Sequence, residues 1–193
     1  MADPAVSVTA VRYGLTHEVR PMTDTDSVVP LDRVEPPLRA GEKDALVLRL
    51  DFLRETVVNK VAGLSTAQAT TASVPPSTLT PAGVVRHLMC IERWWFAIDF
   101  AALPDVPEPW GEHDAGGFDL EPGETLVSVV RTYLAECARS NEIIAAHSLD
   151  DVARGEDMDF DLRYAVVHVI EETGRHCGHL DLLREAIDGT VGE

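Results

Sequence analysis

His168–Gly189 reads HVIEETGRHCGHLDLLREAIDG. Leu180, Leu183 and Ile187 recur at helical spacing, and the same stripe continues backwards through His176, Glu172 and His168. Residues four apart on a helix lie one above the other, so Glu172 and His176 share a face. His179 follows His176 by three residues and falls on the same side. The lower half of the stripe is core-type, so the whole stripe points inward. A carboxylate and imidazoles turned into a protein interior cost free energy unless they are paired or coordinated. This segment therefore predicts a long helix from about Leu162 to Ile187, with Gly189 beyond its end, in a bundle whose interior holds polar chemistry.

Three further helices complete the bundle. Leu46, Leu50, Leu53, Val57 and Val61 make one apolar stripe, predicting a helix from Glu42 to Ala62 with Gly63 just past it. Ser65 with Gln68 predicts a capped short turn. Thr80 suits an N-cap and Pro81 a first helical position. The helix they open carries Val84, His87, Leu88, Ile91, Trp94, Trp95 and Ile98 on a broad inward face. Leu126, Val130, Tyr133, Cys137 and Ile144 supply the stripe of a helix over Glu124–His147. No alternating apolar run is long enough for a sheet. The expected class is all-α, a four-helix bundle over residues 41–193. Residues 1–40, rich in Pro, Asp, Thr and Val, read as a flexible or loosely docked extension. MTDTDSVVPLDR also makes Met22 an alternative start to Met1. Leu103–Gly123 is a connection long enough to border a site.

The formal net charge is −17 over 193 residues, which disfavours nucleic-acid binding and anionic lipid surfaces. No apolar run reaches the roughly 18 residues of a membrane span, and the N-terminus lacks a secretory layout, so the expected location is cytoplasmic. The three cysteines, Cys90, Cys137 and Cys177, are odd in number and widely spaced, and read as buried thiols.

A divalent metal ion would reconcile inward imidazole and carboxylate groups with burial. Glu172 and His176 can give two ligands from one helix, and His87 on the second helix is the obvious third. Two imidazoles and one carboxylate leave positions open, a catalytic rather than a closed structural pattern. Zinc heads the expected metals, with nickel, iron and manganese as alternatives. Other readings stay open. A lone internal histidine is ordinarily a hydrogen-bonded core residue, and Glu172 with His176 also fits a surface ion pair. His179 is the rival ligand, and His168 fits a supporting position behind a ligand. Arg175 fits a surface position, a pair with Glu92 or an anionic substrate. Trp94 and Trp95 read as core. Trp110 and His113 sit in the long loop and could close over the site, with loop decoration the preferred reading. Gly174 and Gly178 would let another backbone approach. Cys177 points away from His176 on helical geometry and is not a nucleophile candidate.

Three segments, LRLDFLRETVVNKVAGLS, LTPAGVVRHLMCIERWWF and LRYAVVHVIEETGRHCGHLDLLREAIDG, together resemble the DinB-like superfamily over residues 42–193. Within it they are similar to the small mini-circle-type proteins and to the N-terminal domain of mycothiol-dependent maleylpyruvate isomerases. The resemblance implies a four-helix bundle with a divalent metal on three side chains. One would be the second-helix histidine, matched by His87. The other two would stand four apart on the last helix, matched by Glu172 and His176. Many members carry two histidines there, whereas the isomerases carry Glu then His, as here. It also implies chemistry with a low-molecular-weight thiol, in transfer or detoxification. A metal-dependent hydrolase and a non-catalytic metal-stabilised module remain the alternatives. Expected partners are a small-molecule substrate and such a thiol, with no nucleic acid and no membrane; a homodimer through an apolar helix face stays open.

Overall fold

The computed structural model describes residues 9–12, 15–18, 27–110, 116–155 and 158–192. Met22 and His113 lie outside them. Four long helices dominate. They are α1 (Glu42–Val61), α3 (Pro81–Glu92) with a π-helical continuation (Arg93–Phe100), α4 (Leu126–Ala146) and α5 (Leu162–Asp188). A single turn, α2 (Thr66–Ala69), sits between α1 and α3 under a capping box made by Ser65 and Gln68. Thr80, Thr125 and Asp161 each cap a following helix through the side-chain oxygen, satisfying backbone N–H groups that have no partner within the helix. Gly63 and Gly189 take left-handed conformations just past α1 and α5. Two short strands, β1 (Thr9–Arg12) and β2 (Leu15–Glu18), form an antiparallel hairpin ahead of the bundle. No described helix is long and apolar enough to cross a membrane.

Residues 27–40 lie along α1. Val28 is buried in the core, and its carbonyl accepts from the Gly63 N–H at 3.0 Å. The Asn59 amide clasps the backbone of Leu31 from both sides, accepting its N–H at 2.6 Å and donating to its carbonyl at 3.0 Å.

Side-chain pairs fix the helix directions. Glu42 meets Arg163 and Lys60 meets Asp181, so α1 and α5 run parallel. Arg86 meets Glu124 and Arg93 meets Glu136, so α3 and α4 also run parallel. Lys43 reaches the His147 carbonyl while Arg54 reaches Asn141, which sets α1 antiparallel to α4. Successive parallel helices need a connection that travels the length of the bundle. At about 1.5 Å per helical residue the α3 segment is at most about 30 Å long, and extended chain at about 3.3 Å per residue covers that in about nine residues. The connection after Phe100 has length to spare, and it climbs back along α3. The Cys90 thiol donates to the Pro109 carbonyl at 3.2 Å, His87 meets the Gly116 carbonyl, and the Phe118 carbonyl crosses Gly83 too closely for a Cβ to fit.

The core has two apolar parts. One gathers Val57, Val61, Val85, Leu88, Val130, Tyr133 and Leu180, and the other gathers Val47, Leu50, Phe96, Phe100, Ile144 and Val166. A layer of buried polar groups contributed by α1, α3 and α4 accompanies them. Arg54 forms a two-pronged pair with Glu92 at 2.7 and 2.6 Å, and also donates to Asp51 at 2.9 Å and to Asn141 at 2.8 Å. Asn141 closes the loop by donating to Asp51 at 3.1 Å.

The expected stripe of α4 is buried throughout, whereas that of α3 needs a correction. Beyond Glu92 the backbone bonds lengthen to i→i+5, as from the Ala101 N–H to the Phe96 carbonyl at 3.0 Å. The wider turn rotates the face, so Phe96 and Phe100 enter the core while Trp94 and Ile98 are only half-buried. A period of 3.6 residues had placed the latter pair inside.

Candidate metal centre

His87 stands on α3 where every residue from Pro81 to Glu92 is buried, because α4, α5 and the returning loop surround that helix. Glu172 and His176 stand one turn apart on α5, which runs antiparallel beside α3. His87 is 8% exposed and His176 5%. One Glu172 oxygen, Oε2, lies 3.6 Å from His176 Nε2 and 3.9 Å from His87 Nε2. One donor atom from each of the three side chains falls within 4.8 Å of the other two. The carboxylate-to-imidazole separations exceed hydrogen-bond length, so the groups converge on a shared point without bonding to one another across it.

Neighbours orient each of the three. The Gly116 carbonyl can only accept, so His87 carries a proton on Nδ1 and turns Nε2 toward Glu172. The second Glu172 oxygen, Oε1, accepts from Arg175 at 2.7 Å, and Arg175 is steadied by Glu171 at 2.8 Å. His176 Nδ1 faces His179 Nδ1 at 3.2 Å. The Phe118 ring stacks on His87 at 4.1 Å between centroids, and Trp110 lies 6.4 Å from the same ring. Burial, reinforced by His87, His179 and Arg175, pushes the His176 imidazolium pKa down to about 3, so the ring is neutral near pH 7. The bland reading of the cluster, an ion pair of protonated His176 with Glu172, is therefore disfavoured. Two imidazoles, one held neutral, and a carboxylate form a donor set suited to a divalent cation.

His168 packs against Trp95 at 4.3 Å and Tyr164 at 6.0 Å, one turn from Glu172. The Arg175–Glu92 pair does not form, because Glu92 is only 1% exposed and Arg54 holds it inside the bundle. The two helix glycines admit no close backbone. A Cβ added at Gly174 would come no nearer to another element than Leu53 Cδ1 at 4.0 Å, and one at Gly178 would meet open space. Trp110 packs on both parts of the core and borders the site rather than decorating a loop. Burial pushes the Cys177 thiol pKa up to about 12, which leaves it unreactive. Gly116 and Phe118 were missed as site residues. Their only trace in the sequence is the Gly116–Gly117–Phe118 run, whose first position would meet the Phe118 ring if it carried a Cβ.

The bundle thus gathers two imidazoles and a carboxylate from facing helices into a cluster that could hold a metal ion. A family model described as mycothiol-S-transferase matches residues 45–189, and the chain belongs to that family, which is DinB-like. A search of curated proteins finds no match.

Proposed function

We infer that this protein is a metal-dependent transferase acting with a low-molecular-weight thiol of the mycothiol class. The observation that carries the reading is the convergence of His87, Glu172 and His176 in a chain whose family is described by thiol transfer. These three side chains would hold one divalent cation, zinc first among the candidates. A bound cation there would keep a thiol sulfur as thiolate near neutral pH.

The chain's own residues prepare that chemistry. His87 and His176 offer Nε2 lone pairs, and Glu172 offers one oxygen because Arg175 engages the other. Phe118 and Trp110 cover the α3 side and limit water around His87. Three side-chain donors would leave coordination positions open for a thiol.

Zinc-loaded, tag-free protein is incubated with mycothiol and an electrophile such as a chlorodinitrobenzene, and conjugate is followed by absorbance. Turnover that needs both thiol and zinc, and that Glu172→Ala abolishes, is the expected result. Ester hydrolysis without thiol would point to a hydrolase instead. Absence of both activities in a zinc-loaded protein would leave a metal-stabilised module.

A further inference from the structure

We propose that His179 is the positioning residue of the centre, accepting the Nδ1–H of His176 and so fixing the Nε2 of His176 on the point shared with His87 and Glu172. The inference rests on the metal reading above and deepens it. The argument is a proton count. A neutral imidazole has one N–H, and its other nitrogen is an acceptor or a ligand. His176 Nε2 is the nitrogen that faces Glu172, at 3.6 Å, so a ligand role places the ring proton on Nδ1. That nitrogen faces His179 Nδ1 at 3.2 Å. Two N–H groups cannot point at each other, so His179 presents its lone pair there and carries its own proton on Nε2.

The ring geometry agrees. The two rings meet edge-on, with centroids 5.0 Å apart and planes 67° apart, which suits an in-plane N–H···N bond better than stacking. The same geometry separates this role from that of a ligand. An ion on His179 Nδ1 would lie on the Nδ1 side of His176, away from the edge that meets Glu172. The His87–Glu172–His176 group gathers its donors on the Nε2 edge. Each donor is then locked by its own neighbour: His87 by Gly116, Glu172 by Arg175 and His176 by His179.

The test is zinc affinity of the full chain by competition with a chromophoric chelator, with stoichiometry from elemental analysis. His179→Ala keeps one zinc per chain but binds it about 10- to 100-fold more weakly, the range usual for losing a partner behind a metal ligand. His179→Asn, whose amide oxygen takes the place of Nδ1, restores affinity to within about threefold. Nitrogen NMR of the zinc-loaded wild type shows a protonated Nδ1 on His176, and that signal broadens in His179→Ala. Loss of zinc in both His179 variants to the extent seen with His176→Ala would make His179 a ligand and overturn the proposal. Wild-type affinity in His179→Ala would also overturn it while leaving the metal centre intact. A wild type that takes up no zinc would remove the metal reading and this one together.

Discussion

Glu172 shows how one side chain is divided between two tasks. Its Oε1 is engaged by Arg175, and its Oε2 is left for the point between the histidines. Arg175→Ala therefore lowers zinc affinity several-fold without removing a ligand, whereas Glu172→Ala removes tight binding altogether; isothermal titration with zinc separates the two outcomes. His176 makes a pH prediction. Its pKa is about 3 in the folded protein and near 6.5 once exposed by unfolding. Between these values the unfolded state binds the extra proton, so the contribution to stability present above pH 6.5 is lost progressively as pH falls toward 3. The urea midpoint of metal-free protein should fall from pH 7.5 to pH 5, and it should fall less in His176→Gln. Equal slopes in the two proteins would contradict the assignment. Of the site, the convergence of His87, Glu172 and His176 was legible because helical spacing and apolar neighbours predict direction. The roles of Arg175, His179 and Gly116 were not, since they depend on which nitrogen or oxygen points where.

At the scale of elements, two glycines on neighbouring helices behave oppositely. Gly178 sits in mid-α5 where an added Cβ would meet open space, so Gly178→Ala should stabilise by about 0.5–1 kcal/mol through helix propensity and lost unfolded-chain freedom. Gly83 is crossed by the Phe118 carbonyl, and Gly83→Ala should cost about 1–3 kcal/mol by forcing the loop off α3. Chemical denaturation of both variants tests the pair. Helix positions were legible from apolar period, N-caps and terminal glycines, with Thr80, Ser65, Gly63 and Gly189 all standing where read. The π-helical stretch was not, because in RWWFAIDF only Arg93 and Asp99 break an otherwise apolar run, too few polar positions to distinguish a period of 3.6 from a wider turn. The same shortage of polar markers hid Phe96 and Phe100 as core residues.

Across the whole molecule, the parallel arrangement of α3 and α4 explains the length of the chain between them and why that chain borders the site. The connection has to climb α3, and His87 lies on its route. Its length was legible in the sequence, but its path was not, since loop length alone does not say which helices run parallel. The buried polar layer was equally hidden, because nothing in the sequence alone places Asp51 and Arg54 of α1 opposite Glu92 and Asn141. Removing its cation strips the buried Glu92 and Asp51 carboxylates of the hydrogen bonds Arg54 donates. Arg54→Met should therefore destabilise by about 3–5 kcal/mol in urea unfolding.

The most direct test of the central claim is the metal content of tag-free protein, wild type against Glu172→Ala and His176→Ala, after exposure to zinc and exhaustive dialysis. The account predicts one divalent cation per wild-type chain and close to none in either variant. A wild type without metal, or variants that retain it in full, would contradict it.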